Sequence, residues 1–288
     1  MDPKQGGFIN DVFKSKLSDH DFERLSSFIF TNYGIKMPQV KKIMLQSRLQ
    51  KRLRDLQITN FKDYVDYVFS PEGQDNEVIH MIDVVSTNKT DFFREPVHFD
   101  FLQDQVLPEF MEGGSGNRVF KVWSAGCSSG EEPYTIAITL SEFKAKNPGF
   151  DFSIFGTDIS SRILKTAADA IYKEQRVEGI PLAIKHKYFL RSKDRTNPTV
   201  RVIPELRRKA SFGRLNFMDH VYSVNEVFDQ IFCRNVLIYF DRPTQEAVIN
   251  KLCMKLKPGG YFFLGHSESI TNIDVPLSQI KPTIFRRV

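Results

Sequence analysis

Sulfur chemistry is thinly represented in this chain. Only three cysteines, Cys127, Cys233 and Cys253, occur among 288 residues, and none forms a CxxC pair. An odd, scattered set does not build a disulfide framework and points to reduced thiols. No apolar run approaches the roughly 18 residues of a membrane span. None follows Lys4 to make a secretory leader either, so a soluble, cytoplasmic protein is expected. HExxH is missing, and His80, His98 and His266 show no close ligand spacing, so no metal site is expected. The dinucleotide pattern GxGxxG is missing as well. Excess charge is small: 40 basic against 35 acidic residues, a net of +5. That admits an acidic partner without choosing among nucleic acid, protein and lipid.

Apolar residues are plentiful enough for one large domain or two modest ones. The first stretch, to about Ser86, reads as helical. Ser18 precedes DHDFERLSSFIFTNYG, where Phe22, Leu25, Phe28 and Ile29 fall at helical spacing and Gly34 makes a stop. VKKIMLQSRLQKRLRDL predicts a second helix with Ile43, Leu45, Leu49 and Leu53 near one side. Lys41, Lys42, Arg48, Lys51, Arg52 and Arg54 give that helix a positive face. FKDYVDYVF and NEVIHMIDVVS predict two more helices. No strand alternation intervenes, so a small helical bundle is expected. Residues 99–110 read as helix, and EGGSGN after them as a flexible turn.

From Arg118 the period changes. Val119 to Trp123 and Phe152 to Gly156 predict short strands, with helices over 132–143 and SRILKTAADAIY. VFDQIFCR and GGYFFLGH predict later strands separated by the helix PTQEAVINKLCMKL. Strands alternating with helices imply a mostly parallel sheet covered on both faces. KPTIFRR is expected to return as an antiparallel edge strand beside YFFLG. Between 172 and 215, KYFLRS, TVRVI and ASFGRLNF predict a small β excursion whose last piece rejoins the main sheet.

Three strand ends carry chemistry: SAGCSSGEE, GTDIS and FCRNV. In a doubly wound sheet, ligands bind beyond the carboxyl ends of strands. Gly126 lets a ligand pass close to the backbone, and Ser128 or Ser129 is expected to cap the following helix. Glu131 and Glu132 suit that helix's first turn but would repel a pyrophosphate. Asp158 is placed to accept bonds from ribose hydroxyls, or else to cap the helix at SSRILK. An acidic loop beside a ribose-reading acid favours a nucleoside-like cation without a diphosphate, which S-adenosyl-L-methionine satisfies. Cys127 has no partner histidine that the sequence can place, so a packed thiol is preferred to a nucleophile.

At these residues the chain resembles the bacterial chemotaxis receptor methyltransferases, the protein-glutamate O-methyltransferases. NKTDFFREPVHF, VWSAGCSSGEEPYTIA, TDIS, FDQIFCRNVLIYF and LKPGGYFFLGHSES occur in the order of that family and span essentially the whole chain. The resemblance implies an α/β adenosylmethionine-dependent fold: an N-terminal helical domain at 1–87, a linker and cofactor-covering segment at 88–117, and a methyltransferase domain at 118–288 with a β subdomain inserted at about 173–212. The family's cofactor contacts carry onto Asn88, Thr90, Arg94, Glu132, Asp158, Asn216, Phe217, Arg234 and Asn235, beside the Gly126 backbone. Phe217 stands where an aliphatic residue is common. Arg94 and Tyr239 are implied near the reacting methyl group.

The resemblance further implies methyl transfer from S-adenosyl-L-methionine to glutamates on chemoreceptor cytoplasmic helices, at receptor arrays, with S-adenosyl-L-homocysteine as product. The positive face of Lys41, Lys42, Arg48, Lys51 and Arg52 is then expected to dock acidic receptor helices. Some members grip a short receptor C-terminal peptide with the β subdomain. LRSKDRTNPTVRV leaves room for such a contact but lacks glycine richness, so a tether and a vacant strand edge both stay open. The rivals are a nucleic-acid methyltransferase, a cofactor-binding receptor scaffold without activity, and a nicotinamide oxidoreductase. CRNVLIYF stands where an amine methyltransferase often carries N/D-P-P-Y, and no arginine–aromatic track suits nucleic acid.

Overall fold

The computed structural model describes residues 12–113 and 118–288. The turn expected over 112–117 therefore falls, at 114–117, outside the described residues. The chain divides into two compact units. One runs through Thr87 and includes Tyr239–Asp241; the other comprises Asn88–Ile238 and Arg242–Val288.

The first unit is built from helices α1 (Asp19–Tyr33), α2 (Lys42–Asp55), α3 (Phe61–Val68), α4 (Pro71–Asn76) and α5 (Val78–Val85). Ser18 caps α1 through its side chain, and Gly34 ends it with φ 70°. Asn60 caps α3 in the same way. These are the side-chain acceptors that orphan helix N–H groups require. Leu25, Ile29, Leu45, Leu49, Leu53, Tyr64, Val65 and Met81 form the interior. Ile43, expected on the buried stripe, is 80% exposed, because the α2 stripe runs Leu45, Leu49, Leu53 at a four-residue step. Helix α4 was not foreseen: Ser70 caps it, Pro71 opens it, and its six residues are too few to show a period.

The second unit holds a seven-stranded sheet of order β6-β2-β1-β7-β8-β10-β9 among the described residues. Its strands are β1 (Val119–Ala125), β2 (Asp151–Asp158), β6 (Ala210–Arg214), β7 (Phe228–Cys233), β8 (Leu256–Leu264), β9 (Leu277–Lys281) and β10 (Ile284–Arg287). From β6 to β8 all pairs are parallel; β10 is antiparallel to both β8 and β9. The expected antiparallel return at 281–287 thus occurs, but it is not the edge. β9 covers it, since β9 and β10 form a hairpin whose exposed pattern carries little alternation. A separate three-stranded antiparallel sheet contains β3 (Ile171–Lys173), β5 (Thr199–Val202) and β4 (Phe189–Arg191), in that order.

Residues expected to act as a linker contribute instead to the interior of this unit. Helix α6 (Val97–Phe101), a π-helical turn at Leu102–Val106 and helix α7 (Leu107–Glu112) form one helical run. Phe99, Phe101, Leu102, Val106 and Leu107 from it are buried in the core. Phe99 stacks on Phe232 at 5.9 Å, and Phe232 on Phe263 at 4.7 Å. Each such ring contributes about 2–3 kcal/mol by burial, so the aromatic layer fixes the end of β7 directly beneath the loop that follows it. The chain leaves β1 toward β2 on one side and returns to β7 on the other. The reversal lies between β1 and β7, the place where open α/β sheets bind ligands.

Candidate active site

The β1 loop turns sharply. Gly126 has φ +84°, and a Cβ there would lie 2.4 Å from Cγ2 of Val236. Ser128 also holds a positive φ, as do Phe93, Glu95 and Asn235. Such conformations cost of order 1–3 kcal/mol for residues with a Cβ and collect at functional sites. Here they flank Arg94 and line both strand ends at the reversal. Helix α8 (Glu131–Lys146) then begins at Gly130 without a side-chain cap. The expected capping by Ser128 or Ser129 does not occur, because Ser129 Oγ donates to Glu131 Oε2 at 2.6 Å and Ser128 Oγ to the Asn88 carbonyl at 3.0 Å.

The two loop carboxylates have separate roles. Glu131 is buried and pairs with Arg176 at 2.6 Å. Glu132 accepts from Ser124 Oγ at 2.6 Å and from Arg234 Nη1 at 3.2 Å. Burial pushes the Glu132 carboxyl upward, partly offset by Arg234 and Ser124. Asp158 closes the β2 end: its Oδ2 accepts from the Ser128 N–H at 2.9 Å and its Oδ1 from the Ser160 N–H at 3.0 Å. The cap of the next helix, α9 (Ser161–Asp169), is Ser160, so Asp158 is not the helix cap that its position allowed.

Arg234 organises the opposite wall. Its buried guanidinium reaches Glu95 at 3.1 Å and Glu132 at 3.2 Å, donates to the Arg94 carbonyl, and lies 5.5 Å over the Phe99 ring. Burial alone would raise the Glu95 carboxyl; Arg234 and the His266 N–H outweigh it and hold Glu95 below its ordinary value. Asn235 Nδ2 reaches Glu95 Oε1 at 3.4 Å. Beneath this loop Glu268 accepts four backbone N–H groups, from Asn235 (2.8 Å), Val236 (2.8 Å), Leu237 (2.7 Å) and Gly265 (2.6 Å). Arg94 Nη1 donates to the Lys89 carbonyl at 3.1 Å. Thr90 is buried, and its carbonyl receives Arg176. Asn216 follows β6 and accepts from Met218 N–H at 3.1 Å. The Phe217 carbonyl accepts from Tyr222 and Lys251.

Residues 88–285 match the family described as CheR methyltransferase, SAM binding domain, and residues 20–86 match its all-alpha domain. The chain belongs to the CheR methyltransferase family. Chemotaxis protein methyltransferases are among its relatives. One from Borreliella burgdorferi is 38% identical over 94% of this chain and 95% of that protein. One from Escherichia coli is 36% identical over 90% and 87%. One from Klebsiella aerogenes is 38% identical over 89% and 86%.

As a CheR methyltransferase the chain is an enzyme that uses S-adenosyl-L-methionine, and its residues fit that cation. Glu132 accepts one hydrogen bond at each carboxylate oxygen, from Ser124 and from Arg234, leaving acceptor capacity for a positive ligand, and no basic side chain stands in the β1 loop to receive a diphosphate. Of the residues expected at the cofactor, Asn88, Gly126, Glu132, Asp158, Arg234 and Asn235 lie at or beside the three strand ends of this unit. Tyr239 ends a 3-10 turn, Leu237–Tyr239, and is grouped by its contacts with the helical unit, where its carbonyl accepts the Lys36 N–H at 3.2 Å.

The positive face of α2 is less free than its sequence implied. Arg52 forms a two-point pair with the buried Glu77, at 2.9 and 2.7 Å, which Tyr64 also contacts. Arg48 donates to the carbonyls of Val85 and Ser86, capping the end of α5. Lys42 pairs with Asp19 at 2.7 Å. Lys51 and Arg54 are exposed. Cys127 and Cys233 are buried, and burial raises both thiols well above the usual range, as packed thiols require.

Glu95 and Glu268 were not singled out from sequence, although both lie in quoted motifs; the signal was a carboxylate within FFREP and within GHSES. Spacing suggested no metal-ligand set, yet folding brings Glu95, His98 and His266 together, with one ligand atom from each inside 4.8 Å of the others. Sequence spacing finds ligand sets on one element only; His98 and His266 come from a helix and a strand end far apart in the chain.

Proposed function

We infer that this enzyme transfers a methyl group from S-adenosyl-L-methionine to glutamate side-chain carboxylates of chemoreceptor cytoplasmic helices, giving methyl esters and S-adenosyl-L-homocysteine, and so serves sensory adaptation in chemotaxis. The observation that carries this reading is the family match over both parts of the chain, 20–86 and 88–285. When bound, S-adenosyl-L-methionine supplies a methyl group on an electrophilic sulfonium whose thioether leaves neutral. A glutamate carboxylate with an ordinary pKa of about 4.3 is already ionised near neutrality, so the chain needs no general base. Its residues supply orientation and exclusion of water.

Asn88, Thr90, Gly126, Glu132, Asp158, Asn216, Phe217, Arg234 and Asn235 hold the cofactor in this reading. Support comes from the carboxylate pair on Arg234 and from the place of Asp158 at the end of β2, where it accepts the Ser128 N–H of the β1 loop. Arg94 orients the incoming carboxylate by directional hydrogen bonds. Its backbone is set between the left-handed Phe93 and Glu95. A tight grip would weaken the nucleophile, so the role is orientation. Tyr239 borders the reacting methyl, on the strength of the resemblance alone. Lys41, Lys42 and Lys51 dock acidic receptor helices, while Arg48 and Arg52 act through the helical unit they brace. The enzyme acts in the cytoplasm at receptor arrays; no described helix is long and apolar enough to cross a membrane. The edge of the β3-β5-β4 sheet has room for a receptor C-terminal peptide, and a vacant edge stays equally open.

Incubating the protein with methyl-labelled S-adenosyl-L-methionine and a panel of receptor cytoplasmic fragments tests the reading. Base-labile label on receptor glutamates is expected. Label on nucleic acid instead, or none across the panel, overturns it.

A further inference from the structure

His98 occupies a chemically awkward position. Its ring is buried, 1% exposed, and its Nε2 lies 2.8 Å from Thr283 Oγ1. The Thr283 hydroxyl proton is committed to the Pro282 carbonyl at 2.6 Å, so Thr283 accepts and His98 Nε2 carries the proton. The other nitrogen, Nδ1, therefore presents a lone pair. It has no hydrogen-bond partner, and it faces Glu95 Oε2 at 3.6 Å, another acceptor. His266 completes the cluster: its Nε2 lies 4.0 Å from the same Glu95 oxygen, and its ring is well exposed. Three groups able to ligate a cation thus converge, one atom of each within 4.8 Å of the others, on a point open to solvent through His266.

We propose that Glu95 Oε2, His98 Nδ1 and His266 Nε2 form a binding site for a divalent transition cation of the zinc class, beside the active site. Two imidazoles and a carboxylate are a donor set that zinc accepts at about 2.0–2.2 Å, with the fourth position left to water. Tetrahedral ligands at that radius are roughly 3.4 Å apart; Glu95 Oε2 lies 3.6 and 4.0 Å from the two imidazole nitrogens and the three ligand atoms lie within 4.8 Å of one another, so side-chain shifts of about 1 Å close the set. The Thr283 hydroxyl behind His98 supplies the outer-shell partner that fixes a ligating imidazole's tautomer. Arg234 shares Glu95 Oε2. A cation there draws Glu95 from the guanidinium that also holds Glu132 and the Arg94 carbonyl. Occupancy consequently inhibits methyl transfer; this consequence rests on the proposed function, and the site itself does not.

The test uses the untagged full chain. Zinc titration by calorimetry, with cobalt(II) absorption as a spectroscopic probe, should show one saturable equivalent. His266→Ala, altered at an exposed ring, and His98→Asn should each weaken it about tenfold or more. His186→Ala, an exposed histidine elsewhere on the unit, should leave it unchanged. No saturable uptake, or equal affinity in His266→Ala and His98→Asn, overturns the site. Zinc should also suppress methyl transfer by the wild type and spare His266→Ala. Binding without suppression overturns the coupling to Arg234 while the site stands.

Discussion

Gly126 bears the sharpest single-residue constraint in the site. Any side chain there meets Val236 at 2.4 Å, and its φ of +84° disfavours every residue with a Cβ. Gly126→Ala should cost about 1–3 kcal/mol, read as a lowered urea midpoint, and should weaken S-adenosyl-L-homocysteine binding in calorimetry. Arg94 poses the complementary case. Its guanidinium is one-third exposed and, among the described residues, has a carbonyl contact and a long approach to Glu95. Arg94→Ala should therefore depress methyl transfer more than cofactor binding. Weak binding with normal turnover at saturation would contradict an orienting role.

Elements are held in place by groups remote from the reacting atoms. Glu268 gathers four N–H groups of the β7 and β8 ends, and so sets where Arg234 and Asn235 emerge. Burial raises its carboxyl while the N–H donors resist the shift. Glu268→Gln replaces an acceptor oxygen by an amide NH2 facing donors, at a cost of about 1–3 kcal/mol. A drop in melting temperature together with weaker S-adenosyl-L-homocysteine binding is expected; unchanged binding would separate the loop from the cofactor. In the helical unit, Arg52→Ala strands the buried Glu77 carboxylate and should destabilise by about 3–5 kcal/mol, seen in urea unfolding. It is thus a poor probe of docking. Lys51→Glu is the better one, with receptor methylation reduced and its salt dependence flattened.

Across the second unit, Asp151 ties the end of α8 to the approach to β6 through Lys144 at 2.7 Å and Lys209 at 2.6 Å. Burial opposes the shift, but these ammonium groups hold Asp151 down at about 2. The folded value lies below the unfolded one, so the contribution is complete above about pH 4 and is lost as pH falls toward about 2. The carboxylate is partly exposed, which limits the effect to below about 1 kcal/mol. The urea-midpoint difference between wild type and Asp151→Asn should be flat near neutrality and shrink below about pH 4. A difference that grows in acid would refute the pairing.

Local chemistry was legible wherever it acts within a few residues. Ser18 announced a helix start, Gly34 a stop, and the strand–turn–helix at 119–146 the β1 loop, because caps, periods and left-handed turns depend on neighbours in the chain. The ordered motifs carried the family. The exposure of Ile43, the insertion of β10 inside β9, the internal bonding of Arg48 and Arg52, and the double backbone grip on Asp158 were decided by tertiary structure. So was the meeting of Glu95, His98, Arg234 and His266, drawn from segments up to 171 residues apart. Charge and hydrogen-bond partners act through space at a few ångströms, and only the packed sheet sets which distant residues share that space.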